Sequence, residues 1–321
     1  MQKIYRFVPL FKETIWGGNR ILPFKGLPSD SRQIGESWEV SGVQGQESVV
    51  ADGPDAGKTL GELCAAYGAA LLGTANAGRY GTSFPLLIKF IDAASPLSVQ
   101  VHPNDEVARR RHDSPGKTEM WYVMKAAPGA YLLDGFSRVV TPDEYEARVA
   151  DHTLPDVLRR CDVREGDVYF LPAGRVHSIG PGCFICEIQQ ASDITYRIYD
   201  FGRTDSQGRP RQLHVEEARD VIDYIVPEPE PRPDETADTR CPVVSCPYFT
   251  TAAYHLTAPL TCDYTAVDSF VVLIGLEGRC KVTCGEETVT LEAGHTLLLP
   301  AEAEGVTLDP SGKATILECY V

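Results

Sequence analysis

The sequence predicts a mainly β protein made of two small jelly-roll barrels with a few connecting helices. Three observations lead to this prediction. Short β-branched and aromatic runs recur along the chain, an unpatterned segment divides it, and a similar turn and strand unit stands on each side of that segment. Short strands with frequent turn signals are typical of sandwiches and barrels.

The strand signals extend over most of the chain. In order, the clearest runs are "SWEVSGV", "FPLLIKFIDA", "LSVQVHP", "EMWYVMKA", "AYLLDGF", "DVYFLPA", "CFICEIQQ", "SFVVLIGLEG", "RCKVTC", "ETVTLEAG", "TLLLPA" and "ATILECYV". Their β-branched, aromatic and aliphatic residues suit a pleated surface, and Gly, Pro and Asp bound them.

Helices are predicted only as connections. The stretch "GKTLGELCAAYGAALLG" places on one helical face the residues Leu60, Leu63, Cys64, Tyr67 and Leu71. The stretch "TPDEYEARVA" opens with Thr141 and Glu144 spaced as a capping box, with Pro142 at the first helical position. A third helix is expected in "HVEEARDVI", after Leu213.

Residues 227–240, "PEPEPRPDETADTR", have no apolar pattern and are rich in Pro and acidic residues. Such a composition predicts a solvated linker. Because the chain is longer than a usual single domain, we expect an N-terminal catalytic domain with helical insertions over residues 1–226 and a C-terminal domain over residues 241–321.

The two predicted domains share a repeat. "REGDVYFLPAGRVHSI" aligns with "LEAGHTLLLPAEAEGVTL", so that Gly166 matches Gly294 and Pro172 matches Pro300. A glycine turn, an apolar strand and a stopping proline are typical of a small barrel. The same offset places His177 on Gly305, so the C-terminal barrel is predicted to be degenerate and to lack metal ligands.

Composition and charge exclude several classes of partner. The 321 residues carry a net charge of -15 and the pI is about 4.9, whereas nucleic acids and anionic membranes bind clustered Lys and Arg. No run approaches the length of a membrane span, and the N-terminal run is interrupted by charges and a proline. We therefore expect a cytoplasmic protein whose cysteines are reduced. Cys183 and Cys186 are interpreted as buried thiols, with a metal or redox role of this CxxC as the alternative.

Two metal-binding side chains lie close together in "SPLSVQVHPND". Gln100 and His102 are two residues apart in a predicted strand, so both side chains face the same side. Glu119 begins the next strand and His177 follows the glycine, strand and proline unit. Two imidazoles, a carboxylate and an amide oxygen form a ligand set that a divalent ion accepts. The other histidines are not accompanied by further candidate ligands and are interpreted as surface or packing residues.

Motifs from about Trp16 to Arg203 resemble those of a known family. They are, in order, "WGGNRI", "GESWEVS", "PLSVQVHPND", "GKTEMWYV", "PAGRVHSIG" and "EIQQASDITYRIYDFGR". They resemble class I mannose-6-phosphate isomerase in its short bacterial form. The resemblance implies two cupin barrels, interconversion of mannose 6-phosphate and fructose 6-phosphate through a cis-enediol, and one zinc or other divalent ion per chain. The implied ligands are Gln100, His102, Glu119 and His177, although some short members do not use the glutamine.

The resemblance also assigns residues to the substrate, and the family's catalytic arginine falls on Arg197. An arginine in the apolar and aromatic run "ITYRIY" can stabilise an enediolate; its alternative is a structural ion pair with Asp193 or Asp200. The resemblance places phosphate contacts on Ser98, Lys117 and Arg203. For the two cationic residues, Lys117 and Arg203, the alternative is ordinary solvent exposure. Glu187 is a candidate base, because a carboxylate inside a barrel has a raised pKa. The alternative is that Glu187 is a glutamate on the strand surface. The Trp residues of the N-terminal motifs, Trp16 and Trp38, are interpreted as core.

Two other functions remain open at the level of the sequence. Two His and one Glu in a cupin can hold iron for an oxygenase, and ligand type alone does not select zinc over iron. The chain could also be a sugar-phosphate-binding protein without turnover. Lys117 and Arg203 favour a phosphorylated substrate, and Arg197 beside a full ligand set favours catalysis. The expected partner is a small sugar phosphate, with no nucleic acid or membrane, for a monomer or a weak homodimer.

Overall fold

The computed structural model describes residues 1–204, 207–229 and 231–321. Strands account for 42% and helices for 15%, which confirms the prediction of a mainly β fold. In chain order the strands are β1 (Phe7–Val8), β2 (Leu10–Gly18), β3 (Ile34–Ser41), β4 (Val49–Val50), β5 (Leu86–Asp92), β6 (Val99–Val101), β7 (Glu119–Ala126), β8 (Tyr131–Phe136), β9 (Leu158–Asp162), β10 (Val168–Leu171), β11 (His177–Ile179), β12 (Cys183–Gln190), β13 (Tyr196–Tyr199), β14 (Arg240–Ser245), β15 (Thr250–Leu256), β16 (Leu260–Asp263), β17 (Val271–Cys284), β18 (Glu287–Glu292), β19 (Thr296–Leu299) and β20 (Gly305–Tyr320).

The helices are short and connect strands. They are α1 (Ile21–Phe24), α2 (Leu60–Tyr67), α3 (Ala69–Leu72), α4 (Thr74–Tyr80), α5 (Asp105–His112), α6 (Pro142–Ala150) and α7 (Val215–Arg219), with a 3₁₀ turn at Leu154–Val157. The predicted single helix through Leu71 is wrong, because Gly68 has a φ of 50° and ends α2. None of the described helices is long and apolar enough to cross a membrane.

Only half of the predicted capping box forms at α6. The hydroxyl of Thr141 accepts the backbone N–H of Glu144 at 3.2 Å. The carboxylate of Glu144 binds Arg138 and Arg148 instead of returning to the Thr141 backbone. Two guanidinium partners outcompete one backbone donor for the same oxygens.

By their internal contacts, residues 13–18 and 91–232 form one compact unit, here called the site unit. Residues 1–12, 19–90 and 233–321 form another, here called the C-terminal unit. The cut at residue 232 lies in the predicted linker, but most of the first 90 residues group with the C-terminal barrel. One reason is that Tyr5 and Leu298 exchange backbone hydrogen bonds at 2.8 and 3.0 Å. The division into two domains, residues 1–226 and 241–321, joined by a linker at residues 227–240 therefore stays a proposal.

The site unit contains two antiparallel sheets. In one, β7 lies between β10 and β12; in the other the strand order is β13-β6-β11-β8-β9. Trp121, Val123 and Ile185 from the first sheet share a buried core with Leu132 and Ile179 from the second. The polar residues on these inner faces are therefore enclosed, as a barrel interior requires.

The C-terminal unit contains the second barrel. Its strands lie in the order β14-β15-β20-β17-β18, with β16 also paired to β20 and β19 to β17. The predicted repeat is visible in the backbone, because Gly166 and Gly294 have φ values of 85° and 83°, a region that favours glycine. Each turn is followed by a strand and then by a second strand that begins at His177 in one copy and at Gly305 in the other.

The cysteines are free thiols. Cys183 and Cys186 are fully buried in β12, and neither belongs to the cluster of candidate metal ligands found among the described residues. Both have the surroundings that were predicted for packing thiols. Trp16 and Trp38 are buried in the cores of their own units, which confirms the core interpretation.

Candidate metal and active site

His102, Glu119 and His177 converge in the interior of the site unit. The Nε2 atom of His177 lies 3.2 Å from one carboxylate oxygen of Glu119, and the Nε2 atom of His102 lies 3.5 Å from the other. One candidate ligand atom from each residue falls within 4.8 Å of the others. All three residues are buried. The structure thus brings together three of the four residues that the sequence selected as ligands.

Strand register places Gln100 beside this cluster. On β6 Gln100 lies directly opposite His177 of β11 on one side and Arg197 of β13 on the other. Residues opposite one another in a ladder project from the same face. The side-chain amide nitrogen of Gln100 lies 3.2 Å from Nε2 of His177. A row of three site residues therefore crosses three neighbouring strands.

Backbone carbonyls fix the orientation of both imidazoles. The Nδ1 atom of His102 lies 2.8 Å from the carbonyl oxygen of Ile194, and the Nδ1 atom of His177 lies 2.8 Å from that of Arg175. A carbonyl only accepts, so Nδ1 carries the proton and the lone pair is on Nε2. Burial lowers the pKa of His177 to about 4. The ring is therefore neutral near pH 7, which is the form that binds a metal.

The arrangement of donors and acceptors fits a bound cation. Glu119 turns carboxylate oxygens toward two imidazole nitrogens that carry lone pairs, so acceptors face acceptors. A divalent ion at the centre converts these contacts into attraction, and two His with one carboxylate are good ligands for zinc and its neighbours. The carbonyls behind each ring are the supporting hydrogen bonds that ligating histidines usually have.

Lys117 is also buried in this cluster. Its ammonium lies 3.1 Å from Glu119, and its side chain is 4% exposed. The alternative of ordinary solvent exposure is therefore wrong for Lys117. The ammonium offsets part of the carboxylate charge and has further N–H donors available for a ligand.

Arg197 lies in β13 with its guanidinium half-buried. Its Nη1 donates to the carbonyl of Gln212 at 3.1 Å, and among the described residues its Nε has no hydrogen-bond partner. Burial is the main cause that lowers the pKa of Arg197, followed by the charge of Arg211. No ion pair joins Arg197 to Asp193 or Asp200 in the described part of the chain, where Asp200 pairs with Arg203 and Arg211; the catalytic role of Arg197 stays a prediction.

The three residues that the resemblance assigned to phosphate have different surroundings. Ser98 is buried next to β6. Arg203 donates from Nη1 to the carbonyl of Pro96, two residues before Ser98, and from Nε to Asp200 at 3.1 Å. Lys117 contacts Glu119 as described. Their contact with phosphate stays a prediction.

Glu187 is buried in β12, opposite Trp121 of β7. The indole Nε1–H of Trp121 donates to it at 2.8 Å, and the same indole lies edge-on to the His177 ring with centroids 5.3 Å apart. The alternative of a glutamate on the strand surface is therefore wrong. Its role as a base stays a prediction.

Sequence reasoning missed two buried polar residues beside the ligands. Asp134 lies opposite His177 in the ladder and binds Arg175 at 2.9 Å, the residue whose carbonyl orients that imidazole. Gln189 lies opposite Glu119 and is fully buried. A signal was present, since an aspartate in the run "AYLLDGF" and a glutamine in "CFICEIQQ" interrupt otherwise apolar strands.

Family models and related sequences all match this chain to one family of enzymes. Residues 4–132 match a family model described as phosphomannose isomerase type I, catalytic domain, and residues 239–320 match one described as mannose-6-phosphate isomerase, cupin domain. The chain is 35% identical over 298 residues to a mannose-6-phosphate isomerase of Bacillus subtilis, covering 92% of each protein. It is 36% identical over 300 residues to one of Streptococcus mutans, covering 91% of this chain and 92% of the relative.

Solved structures agree with these matches. A crystal structure of the mannose 6-phosphate isomerase from Bacillus subtilis superposes with a TM-score of 0.88 at 30% identity, covering 100% of both chains. A structure described as a putative mannosephosphate isomerase from Archaeoglobus fulgidus gives a TM-score of 0.79 at 24% identity, covering 99% of this chain and 97% of that one. At this lower identity the second match supports the fold alone.

Proposed function

The chain belongs to the type I phosphomannose isomerase family, and we propose that its site unit interconverts mannose 6-phosphate and fructose 6-phosphate with one zinc ion per chain. The observation that carries the proposal is the convergence of His102, Glu119 and His177 beside Arg197 in the barrel interior. An iron-dependent oxygenase and a binder without turnover are not favoured by the relatives, which are mannose-6-phosphate isomerases.

The ion would be held by His102, Glu119 and His177, with Gln100 as a fourth ligand. Gln100 turns its amide nitrogen toward His177, and a half-turn of the amide presents the oxygen instead. A divalent ion bound there would supply Lewis-acid polarisation of a sugar oxygen. The donor set also accommodates other divalent ions, and zinc is proposed because His and Glu with an open position are its usual catalytic ligands.

Isomerisation moves a proton from C2 of the open-chain aldose to C1 and another between the two oxygens. Glu187 takes the C2 proton and returns it to C1 of the enediol, because its carboxylate is buried and held by Trp121. Arg197 stabilises the negative charge on the enediolate oxygen, since its partly unbonded guanidinium lies on the same sheet face as Gln100. Proton transfer and stabilisation of the negative charge are therefore assigned to different residues, Glu187 and Arg197.

The phosphate group is bound by Ser98, Lys117 and Arg203. Binding this distant group fixes the reacting carbons and lowers the entropic cost of reaching the transition state. The protein acts on a small molecule in the cytoplasm as a monomer or weak homodimer, with no nucleic acid or membrane partner; these remain predictions from the sequence.

The test follows the conversion of mannose 6-phosphate to fructose 6-phosphate by purified protein before chelation, after chelation and after zinc is restored. Activity that disappears with the metal and returns with zinc is the expected result. Each divalent ion is also assayed alone. Activity that returns with iron only, accompanied by uptake of dioxygen, would indicate an oxygenase. Sugar phosphate binding without conversion by fully metallated protein would identify a binding protein and overturn the proposal.

A further inference from the structure

Asp200 binds two guanidinium groups at once. Arg211 donates from Nε to one carboxylate oxygen at 2.7 Å, and Arg203 donates from Nε to the other at 3.1 Å. The Nη2 groups of both arginines also bond to Asp200. The carboxylate is buried, and its pKa lies below the usual range because hydrogen bonds from Arg211 and Arg203 outweigh the opposing effect of burial.

The segment from Arg211 to His214 is bonded to Arg197. The Arg197 guanidinium donates to the carbonyl of Gln212, and the Arg197 backbone N–H donates to Nδ1 of His214 at 3.2 Å. The His214 N–H returns a bond to the Arg197 carbonyl at 2.8 Å. Three hydrogen bonds thus fix the position of this segment, and of Arg211 at its start, relative to Arg197.

Arg197, Arg203 and Arg211 form a cationic cluster with Asp200 as its carboxylate. The charges of Arg211 and Arg203 both act on Arg197, where they add to burial in lowering its pKa. Three guanidinium groups against one carboxylate leave a local excess of positive charge in a chain whose net charge is -15. Repulsion between like charges in a half-buried place is costly unless an anion compensates it.

Arg211 keeps hydrogen-bond donors for such an anion. Asp200 engages its Nε and Nη2, whereas Nη1 has no hydrogen-bond partner within the described residues. Arg203, by contrast, bonds through its Nη1 to the carbonyl of Pro96, which places its guanidinium close to the Pro96–Ser98 segment. A phosphate monoester carries roughly -1.5 to -2 charges near pH 7 and three acceptor oxygens, and planar guanidinium groups match these oxygens in pairs.

We propose that Arg211 binds the phosphate of the sugar phosphate together with Arg203, and that Asp200 is the positioning residue that orients both guanidinium groups. The inference rests on the proposed function for the identity of the ligand. The loop contact between Gln212 and Arg197 then couples phosphate binding to the position of the catalytic arginine.

The test compares Arg211→Gln with Arg110→Gln, which removes the same charge from an exposed position on α5. Binding of inorganic phosphate and of mannose 6-phosphate is measured by calorimetry on zinc-loaded protein. Arg211→Gln is expected to weaken both about 10- to 100-fold, as loss of a charge-assisted hydrogen bond does, while Arg110→Gln binds like the wild type. Calorimetry needs no turnover, so the result for Arg211 is independent of whether the protein proves to be an isomerase.

Kinetics and two further variants separate binding from folding. The kcat/KM for mannose 6-phosphate should fall in Arg211→Gln while that for unphosphorylated mannose is unchanged. Arg211→Lys, which keeps the charge, should lose less affinity, and Asp200→Asn should raise KM more than it lowers kcat at an unchanged circular-dichroism spectrum. Phosphate affinity equal to the wild type in both Arg211 variants would overturn the inference. So would equal losses for mannose and mannose 6-phosphate, which would indicate a merely structural role.

Discussion

Two glutamates without exposed surface, one in each barrel, have opposite surroundings. Glu119 in the site unit faces imidazole nitrogens that carry lone pairs, at 3.2 and 3.5 Å, with Lys117 at 3.1 Å. Glu318 in the C-terminal unit accepts hydrogen bonds from the hydroxyls of Tyr254 and Tyr264, at 2.5 and 2.7 Å, and from Nε of Arg240 at 2.7 Å.

Glu119 has the surroundings of a carboxylate that binds a ligand, and Glu318 has those of a structural carboxylate. The partners of Glu318 are donors, so folding alone satisfies its oxygens and its charge. Glu119 has acceptors among its neighbours, so a cation would complete its surroundings. The repeat shows the same divergence, because the position of His177 in the first barrel holds Gly305 in the second. Similar barrel geometry therefore does not imply similar chemistry; the balance of donors and acceptors decides it.

The largest expected effect comes from Glu119→Gln, which removes the charge of the proposed carboxylate ligand. Zinc content should fall below one ion per chain and kcat should drop on the order of 10³-fold, the loss typical of removing a key electrostatic group. Metal analysis and a coupled isomerase assay measure the two quantities. His152→Gln on the surface is the control and should behave like the wild type. Full activity with full zinc content in Glu119→Gln would remove the distinction drawn between the two glutamates.

Arg197→Lys sharpens the comparison within the first barrel. The ammonium keeps the charge but loses the planar fork and the Nη1 bond to Gln212. We expect kcat to fall roughly 10²-fold, as for loss of an oxyanion donor, with zinc content unchanged. Stopped-flow or steady-state rates with parallel metal analysis test this. A loss of zinc together with activity would mean that Arg197 supports the metal site rather than the enediolate.

The sequence predicted those parts of the site that depend on local patterns. Period-two alternation placed Gln100 correctly on the inner face, and the glycine turns at Gly166 and Gly294 located both barrels. The contacts that join distant segments were out of reach, because no local pattern encodes them. Examples are the imidazole of His102 on the carbonyl of Ile194, and Arg211 on Asp200. The pairing of Tyr5 with Leu298, which spans nearly the whole chain, is another such contact.

Glu187→Gln tests whether a second buried carboxylate of the first barrel acts in catalysis. The amide can still accept from Trp121 but cannot take a proton, so kcat should fall on the order of 10²-fold while zinc and phosphate binding persist. Exchange of the C2 hydrogen with solvent deuterium, followed by NMR, should slow in parallel. Unchanged turnover would exclude Glu187 as the base.

Glu318→Gln is the matched substitution in the second barrel and should have the smallest effect on turnover. The amide keeps only one of the two accepting oxygens, so at least one of the present bonds from Tyr254, Tyr264 or Arg240 is lost or reversed, and Arg240 loses its counter-charge. We expect the free energy of unfolding to fall by about 2–4 kcal/mol, measured by urea titration, with kcat per folded molecule unchanged. A fall in kcat at full folding and full zinc content would show that the second barrel takes part in the chemistry. Unchanged stability would show that its buried network is not structural, and either result would break the comparison of the two glutamates.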